Sequence, residues 1–492
     1  MSPRLRVLSV THVLPDRHQA AAAACSPPPP LPGDGLVRLS FMDALFVDRA
    51  LPMRRLFFYE GPGVPPFPRL AGSLRASLAA ALAVFPPLSG KLTHRLPSHG
   101  GGGDVVVDCS PDAVAPGVRF VEAEYSGGVG DMRPVAGGGS DDEGDKEALM
   151  QLGPELDATR LPAPVLAVQV TRPAVGGGVV VGVAVHHAVA DGHSVWQFMR
   201  AWTALSRRME EGSLAVPDLL PPAFDRTPLL RYPEAEELAR KILRTIAPSL
   251  PVVRSPSSSS QPDRRRRTFL INADEIQSVK QHILTQQSKT TGEQSPDTHP
   301  IPIPSTYLAV SSLVWTSIAR AKYSGDLAGG DAYFLVAVDY RRRLGTAAIT
   351  DRYFGDCVIP CVASAAARDL RDDTGGGGGG LARAAAAIRD AIRAQPEDPV
   401  RAMEAWLESL RTLPRERFTF TGSSNRFMAY ETDFGWGSPS RVELVSLFAT
   451  ELVLLLGAAG GGVQVNATLL PEHMEAFAAN LARHSSGRGN DA

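Results

Sequence analysis

The segment 179–196 limits the possible folds of this chain more than any other stretch. It begins with Val179–Val185, a run of mostly β-branched apolar residues that predicts a strand buried on both faces. A glycine then interrupts any helical pattern, so we expect a tight loop over residues 188–192. An amphipathic helix follows from about residue 193 to residue 208. The loop is therefore held by rigid elements on both sides.

This loop region carries two histidines and an aspartate, in the order His-His-x-x-x-Asp-Gly. His187 lies at the strand end, where a neutral imidazole can take a proton from a hydroxyl or amine that attacks a carbonyl. Asp191 is well placed to cap the helix. The sequence contains no Gly-x-Ser-x-Gly elbow and no P-loop, so His187 has no evident nucleophilic side chain to activate. Direct attack by a bound acceptor on a bound acyl donor therefore fits better than an acyl-enzyme.

Two alternatives stand beside this hypothesis. The first is that these residues are purely structural. A lone histidine is more often structural than catalytic, and Asp191 would then serve as a helix cap or form a salt bridge that holds the loop. The other alternative is a metal site of His187, Asp191 and His193. Gly192 argues against it, because it disrupts the helix that would align these side chains.

The composition excludes several classes of protein. Of the 492 residues, 44% are hydrophobic and 21% charged, which is typical of a soluble globular protein of two or three domains. The net charge of −2 gives no basic field that would favour nucleic acid. No apolar run is long enough for a bilayer, and residues 1–16 lack a signal-peptide core. The four cysteines are scattered without zinc-site spacing, as expected of reduced thiols in the cytosol: Cys25, Cys109, Cys357 and Cys361.

The rest of the chain predicts a mixed α/β architecture with several antiparallel hairpins. Leucines recur every four residues over 67–85, and 304–322 forms another strong helix. We expect loops at the Gly- and Asp-rich stretch 126–146 and at the arginine run 264–267. A deletion within 126–146 should accordingly be tolerated. No short-period repeat is present, which argues against a solenoid.

A Pro-rich segment divides the chain. Residues 215–233 predict an extended crossover between two halves. We therefore expect an N-terminal domain over 1–214, with the His-x-x-x-Asp sequence, and a C-terminal domain over 234–492.

Three short motifs are spread over most of the chain: His187-Ala-Val-Ala-Asp191, Tyr353-Phe-Gly-Asp-Cys357 and Asp433-Phe-Gly-Trp-Gly437. The first and the last together resemble the plant BAHD acyl-CoA-dependent acyltransferases. The first alone is also similar to motifs of chloramphenicol acetyltransferase and of peptide-synthetase condensation domains. The middle motif resembles the Tyr-Phe-Gly-Asn-Cys of the clade that acylates flavonoid and other phenolic glycosides, often with malonyl-CoA.

The resemblance implies two chloramphenicol-acetyltransferase-like α/β domains joined by a crossover, with the active-site channel between them. His187 would be the general base, acyl-CoA the co-substrate, and no metal or other cofactor would be bound. Asp191, followed by Gly192, would pair with an arginine outside the channel. Arg341 and Arg343 are the candidates, and both would lie on one face because they are two apart at a strand end. The protein would act as a monomer.

The C-terminal motif is implied to be structural, away from the histidine. Its residues are Asp433, Phe434, Gly435, Trp436 and Gly437. The two glycines suit backbone turns. The motif can also contribute to CoA affinity through its effect on the geometry of the domains.

The leading hypothesis is transfer of a malonyl group to a hydroxyl of a phenolic or flavonoid glycoside, with a hydroxycinnamoyl donor second. Asp356 stands where the clade has Asn, and residues 422–427 depart from the clade's Gly-Ser-Pro-Arg-Phe. Both departures weaken malonyl specificity more than acyl transfer. A malonyl carboxylate needs a cationic partner, for which Arg200 and Arg426 are candidates.

Two other hypotheses change the function. One keeps the fold and replaces the hydroxyl acceptor by an amine such as agmatine or a polyamine. The other is a non-catalytic scaffold of the same fold. The intact His187, Asp191 and Asp433 argue against a scaffold, as does the absence of repeats or long charged tails.

Overall fold

The computed structural model describes residues 5–23, 31, 34–48, 52–96, 103–126, 149–211, 221–253, 264–290, 302–325, 329–344, 349–372, 379–445 and 451–485. Nearly all of the predicted loop 126–146, the first part of the predicted crossover and Cys25 lie outside these residues. Among the described helices, none combines the length and the apolar character that a membrane crossing needs.

The described residues form strands and helices in mixed order along the chain. The strands are β1 Leu5–Val13, β2 Leu36–Arg38, β3 Met53–Tyr59, β4 Lys91–Arg95, β5 Asp104–Asp108, β6 Val118–Tyr125, β7 Ala163–Pro164, β8 Leu166–Pro173, β9 Val179–Val185, β10 Arg265–Ile271, β11 Asp331–Asp339, β12 Val358–Ala366, β13 Phe418–Ser424, β14 Arg441–Val445, β15 Leu452–Gly457 and β16 Val463–Leu469. The helices are α1 Arg17–Ala23, α2 Phe41–Ala44, α3 Phe67–Val84, α4 Pro111–Val114, α5 Gly192–Glu211, α6 Thr227–Leu230, α7 Ala235–Ile246, α8 Ala273–Thr290, α9 Thr306–Lys322, α10 Ala367–Arg371, α11 Gly380–Arg393, α12 Pro399–Thr412 and α13 Pro471–Ser485.

The first large sheet is built around β9. Its strand order is β1-β6-β8-β9-β3-β14, with β6 and β8 parallel and the other neighbours antiparallel. Every residue of β9 is buried, as its continuous apolar run predicts. Helices α3 and α5 pack against each other, and Trp202 Nε1 donates to Ser77 Oγ at 3.1 Å between them. The strand that leads into the two histidines is therefore central and rigid.

The second large sheet has the order β10-β16-β15-β13-β11-β12. Strand β13 is parallel to both of its neighbours, β11 and β15. Helix α9 packs against α11 and α13 beside this sheet, and Ser305 Oγ caps it by accepting from Leu308 N at 3.2 Å. The described residues also form a small four-stranded sheet with the order β2-β5-β4-β7.

One strand from late in the chain belongs to the first sheet. Strand β14 pairs antiparallel with β3, with Glu443 opposite Leu56. Glu443 is buried, accepts from Arg441 Nε at 2.8 Å and pairs with Arg266 of the second sheet. A division at 215–233 thus leaves one strand of the first sheet in the C-terminal half.

The expectation of a loop over the whole run 264–267 is wrong. Its last three residues open β10, and their guanidinium groups alternate between two acidic partners. The first and third of these arginines pair with Glu475, whereas Arg266 pairs with Glu443. A strand of like charges forms here because neighbouring elements supply carboxylates, which the local sequence does not reveal.

Several elements were not predicted from the sequence, and three of them are long. These three are α7, α12 and β12. Of these, β12 matters for the site, because it pairs with β11 and begins just after the motif Tyr353–Cys357.

Candidate active site

The two adjacent histidines after β9 lie in different environments. His186 is fully buried, and its Nδ1 accepts from the N–H of Ala188 at 3.2 Å. Burial lowers the pKa of His186 to about 4, so this imidazole is neutral and holds the 3₁₀ turn 187–189. The side chain of His187 is 18% exposed. Only His187 of this pair is open to a substrate.

Two contacts fix the ring of His187. Its Nδ1 lies 3.1 Å from Oδ1 of Asp356. The ring of Phe46 stacks on the imidazole, with 3.7 Å between ring centroids and an interplanar angle of 12°. Phe46 comes just after α2, which Ser40 and Asp43 begin with a capping box. One nitrogen and one face of the imidazole are thus held by residues from distant parts of the chain.

Asp191 binds Arg341. Its Oδ2 accepts from Arg341 Nη1 at 2.7 Å, and its Oδ1 accepts from Nη2 at 3.0 Å, so the pair is bidentate. Asp191 Oδ1 also accepts from Ser194 N at 2.9 Å and caps α5, as the sequence predicts. Burial alone would raise the pKa of Asp191, but Arg341 and the hydrogen bonds hold it below its usual value. The buried carboxylate is therefore ionised and neutralised by the guanidinium.

Arg343 has a different partner from Arg341. Its Nη2 donates to the carbonyl of Ile392 at 2.8 Å. Strand β11 ends at Asp339, and the chain turns over residues 341–343. The expectation that the two arginines share a face is wrong, because strand alternation has stopped before them.

The segment 353–357 is held by the Asp191–Arg341 pair. The N–H of Cys357 donates to Asp191 Oδ2 at 3.0 Å. Arg341 Nη2 donates to the carbonyl of Gly355 at 3.1 Å. The aspartate between these two residues, which contacts His187, is thereby positioned by the pair.

A second carboxylate and a second guanidinium complete the surroundings of this segment. Asp43 Oδ1 accepts from the backbone N–H of Asp356 at 2.8 Å. Arg226 Nε lies 3.6 Å from Asp43 Oδ2, and the same guanidinium donates to the carbonyl of Phe354. The five ionisable residues, each at most 4% exposed, are here called the charge cluster: Asp43, Asp191, Arg226, Arg341 and Asp356.

Gly192 and His193 have packing roles. A Cβ on Gly192 would lie 2.7 Å from Cε2 of Phe427, so a side chain here would collide with that ring. His193 Nε2 lies 2.9 Å from the carbonyl oxygen of Asp351. Among the residues that the structure describes, no group of three His, Cys, Asp or Glu side chains is arranged to hold a metal ion.

The C-terminal motif folds into a tight turn around its aspartate. Asp433 Oδ1 accepts from the N–H groups of Gly435, Trp436 and Gly437 at 2.7, 3.0 and 2.9 Å. The φ angles of Gly435 and Gly437 are +105° and +93°, a region that L side chains rarely adopt. The carboxylate and the two glycines together define this turn.

This turn packs against the C-terminal end of α5. Ser206 Oγ donates to the carbonyl of Phe434 at 3.1 Å. The ring of Phe434 meets that of Trp202 edge-on, with 4.9 Å between centroids. The hydroxyl of Tyr59, at the end of β3, donates to the carbonyl of Thr432 at 2.7 Å. The motif thus holds the far end of the helix that follows His187.

Sequence analysis missed several of these residues. Asp43, Phe46 and Arg226 were not singled out, and Asp356 was treated only as a departure from a clade pattern. Asp356 lies 169 residues from His187, so no local pattern joins them. The available signal was an ionisable residue in place of an amide inside an otherwise matching motif.

The chain is similar to several known proteins. The model of the Transferase family matches residues 24–483. Phenolic glucoside malonyltransferase 1 of Bemisia tabaci is 27% identical over 425 residues, which are 85% of this chain and 85% of that protein. Hydroxycinnamoyl-CoA:5-hydroxyanthranilate N-hydroxycinnamoyltransferase HHT1 of Avena sativa is 29% identical over 432 residues, which are 83% and 86%. The crystal structure of vinorine synthase aligns with a TM-score of 0.66 at 20% identity, over 97% of this chain and 98% of that one.

Proposed function

The chain belongs to the Transferase family, that of the BAHD acyltransferases, and from this premise we propose that it transfers a malonyl group from malonyl-CoA to a hydroxyl of a phenolic or flavonoid glycoside, with His187 as the general base. It is an acyl-CoA-dependent acyltransferase with the two-domain chloramphenicol-acetyltransferase-like fold. The observation that carries the assignment of the base is the contrast between the buried His186 and the partly exposed His187.

The proposed reaction needs no covalent enzyme intermediate. His187 Nε2 accepts the proton of the acceptor hydroxyl as its oxygen attacks the thioester carbonyl. The tetrahedral oxyanion then collapses and the C–S bond breaks. The CoA thiolate leaves and is protonated by the imidazolium of His187. Backbone or side-chain donors near the oxyanion would contribute to the rate.

In this proposal the other motif residues hold the elements around His187 in place. Asp191 and Arg341 hold the segment 353–357 beside the base, and Gly192 leaves room for the ring of Phe427. The turn 433–437 holds the far end of α5. Arg343 would act only in packing its own loop. The two domains would extend over 1–214 and 234–492, with β14 inserted into the first.

The choice of a malonyl donor and a glycoside acceptor rests on the motif Tyr353–Cys357 and on a relative that is named as a phenolic glucoside malonyltransferase. A malonyl carboxylate requires a cationic partner. Arg200 and Arg426 are both exposed and are available for this role only if substrate binding brings the donor to them. Changing either one to Gln would then raise KM for malonyl-CoA while KM for acetyl-CoA stays the same.

A second candidate function is N-acylation with a hydroxycinnamoyl donor. The Avena sativa relative, at 29% identity, carries an N-hydroxycinnamoyltransferase name. One histidine can deprotonate either an amine or a hydroxyl during attack, so the proposed base serves both reactions.

A panel of donors and acceptors separates these candidates. Purified protein receives malonyl-, acetyl-, coumaroyl-, caffeoyl- or benzoyl-CoA, together with phenolic glucosides or with agmatine and spermidine, and free CoA thiol is followed. Thiol release that needs a glucoside and is fastest with malonyl-CoA is expected. Release that needs an amine would replace this proposal by the second candidate.

The base is tested with His187→Ala. Without an acceptor for the proton, kcat should fall by about 10²- to 10⁴-fold while the melting temperature stays close to that of the wild type. His18→Ala, a change at an exposed histidine, is the matched control and should keep full activity. Wild-type turnover in His187→Ala would refute the assignment.

A further inference from the structure

We propose that Arg226 is a positioning residue for His187, and that the crossover residues 221–226 clamp the two elements that contact the imidazole. One of these elements is the segment 352–357, and the other is α2 with the ring of Phe46 that follows it. This proposal deepens the proposed function and rests on His187 as the base. It gives the crossover a role at the active site beyond joining two halves of the chain.

The crossover runs beside the segment 352–357 as a short parallel bridge between Ala223 and Tyr353. The N–H of Ala223 donates to the carbonyl of Arg352 at 2.8 Å. The N–H of Phe354 donates to the carbonyl of Ala223 at 2.9 Å. Arg352 Nε in turn donates to the carbonyl of Pro221 at 2.7 Å. The two segments are therefore bound to each other through the backbone, although they are far apart in the sequence.

The guanidinium of Arg226 binds both sides of this bridge. Its Nη1 donates to the carbonyl of Phe354 and, at 3.2 Å, to the carbonyl of Phe224. Its Cζ lies 5.0 Å from the centre of the Tyr353 ring. A Cβ on Gly355 would lie 2.3 Å from Nη2, so the glycine leaves the room that the guanidinium fills. The side chain is thus enclosed by the segment that it holds.

The same guanidinium reaches α2. Arg226 Nε lies 3.6 Å from Oδ2 of Asp43, which also accepts from the N–H and the hydroxyl of Ser40 at 2.8 and 2.7 Å and so begins α2. Oδ1 of Asp43 accepts from a backbone N–H of the segment 352–357 at 2.8 Å. Phe46, two residues after this helix, stacks on His187. Arg226 therefore neutralises the carboxylate that joins α2 to the segment.

Burial decides which substitution can test the clamp. Arg226 is 4% exposed and Asp43 is fully buried, so removal of the guanidinium would leave a buried carboxylate without its counter-charge and would be strongly destabilising. A lysine would keep the positive charge near Asp43. Its single ammonium lacks the planar fork, so it cannot also bind the carbonyls of Phe224 and Phe354. Arg226→Lys therefore removes the clamp and keeps the charge.

The first experiment measures hydrogen–deuterium exchange by mass spectrometry in wild type and in Arg226→Lys. Peptides that contain Ala223 and Phe354, whose amides form the bridge, should exchange about tenfold faster or more in the variant, because local opening becomes easier. Peptides of the buried strand β9 should keep their protection. Arg231→Lys, the same change at an exposed arginine five residues further on, is the matched control and should leave both regions unchanged.

The second experiment compares steady-state kinetics with the most active pair of the donor and acceptor panel. In Arg226→Lys, kcat should fall by about tenfold to a hundredfold, because the imidazole is no longer held in one position. KM for both substrates should stay within about twofold of wild type, since the lost interaction acts on the reacting geometry and not on binding. The melting temperature should stay close to that of the wild type. Arg231→Lys should keep full kcat.

Wild-type exchange over 221–226 and 352–357 in folded Arg226→Lys would overturn the clamp. Faster exchange with an unchanged kcat would overturn the positioning role, as would a fall in kcat that only follows a smaller folded fraction. Full activity of His187→Ala, together with faster exchange in Arg226→Lys, would instead refute the base and leave the clamp as a structural contact.

Discussion

The two ends of helix α5 are both held by the C-terminal half of the chain, but with different chemistry. At its N-terminal end, Asp191 and Arg341 form a buried bidentate ion pair. At its C-terminal end, the rings of Trp202 and Phe434 pack edge-on, and Asp433 organises a turn with three backbone hydrogen bonds. Charges hold the end beside His187, whereas aromatic packing and a turn hold the other end.

The difference shows what each kind of contact contributes. A buried ion pair adds little net stability, because desolvation offsets the attraction, but it fixes its partners in one geometry. Aromatic burial adds stability through the large apolar area that it removes from water. The Asp191–Arg341 pair binds Gly355 and Cys357 and so restrains the segment 353–357 beside His187. The C-terminal motif contacts both α5 and Tyr59 at the end of β3.

The largest effect should come from breaking the ion pair. Asp191→Asn leaves the Arg341 guanidinium buried without its full partner, so we expect a loss of about 3 kcal/mol or more in the free energy of unfolding, with a large fall in kcat. Urea unfolding and steady-state kinetics measure the two quantities. Unchanged stability and unchanged kcat would refute the role of the pair.

A double variant sharpens this test. In Asp191→Leu/Arg341→Met both buried charges are gone, so much of the lost stability should return. Activity should stay low, because nothing then anchors Gly355 and Cys357. Recovery of activity together with stability would mean that the pair acts only on folding.

At the other end of the helix we expect a loss of stability without a matching loss of activity. Phe434→Ala removes a fully buried ring and should cost about 3 kcal/mol of the free energy of unfolding. Because this site lies away from the charge cluster, kcat of the folded fraction should stay within about twofold of wild type. A fall in kcat as large as that of Asp191→Asn would erase the contrast between the two ends.

Lowering the pH should distinguish the two ends of α5 by a smaller effect on the free energy of unfolding. The pKa of Asp191 is lower in the folded protein than in the unfolded chain, so its stabilising contribution is present above the unfolded value of about 4 and is lost as the pH falls through the folded value. Between pH 5 and pH 3 the wild type should therefore lose more of its free energy of unfolding than Asp191→Asn. Phe434→Ala should follow the wild-type slope. Parallel slopes for Asp191→Asn and wild type would contradict a depressed pKa.

Local patterns predicted much of the fold. The β-branched run predicted β9 with its bounds, the leucine repeat predicted α3, and Asp191 caps α5 as expected. Each of these features is written within a few consecutive residues, where periodicity and capping preferences act. The run 264–267 was misjudged because the carboxylates that neutralise it lie far away in the sequence.

The candidate site was only partly predictable for the same reason. The motif resemblance indicated His187 and an arginine partner for Asp191, but it left two arginines open. Arg341 was selected by a contact over 150 residues of sequence, and Asp356 meets His187 over 169 residues. Such contacts depend on how distant segments of the chain pack in the tertiary structure.

The sequence by itself determined the buried strand, the turn with its histidines and the cap of the following helix, because these follow from side-chain shape and local hydrogen bonding. It also determined the family, through motifs that stand almost unbroken in the chain. Only the tertiary structure decided which guanidinium neutralises Asp191 and which carboxylate faces the imidazole. Electrostatic interactions act through space, so the partner of a buried charge is fixed by packing and not by its neighbours along the chain.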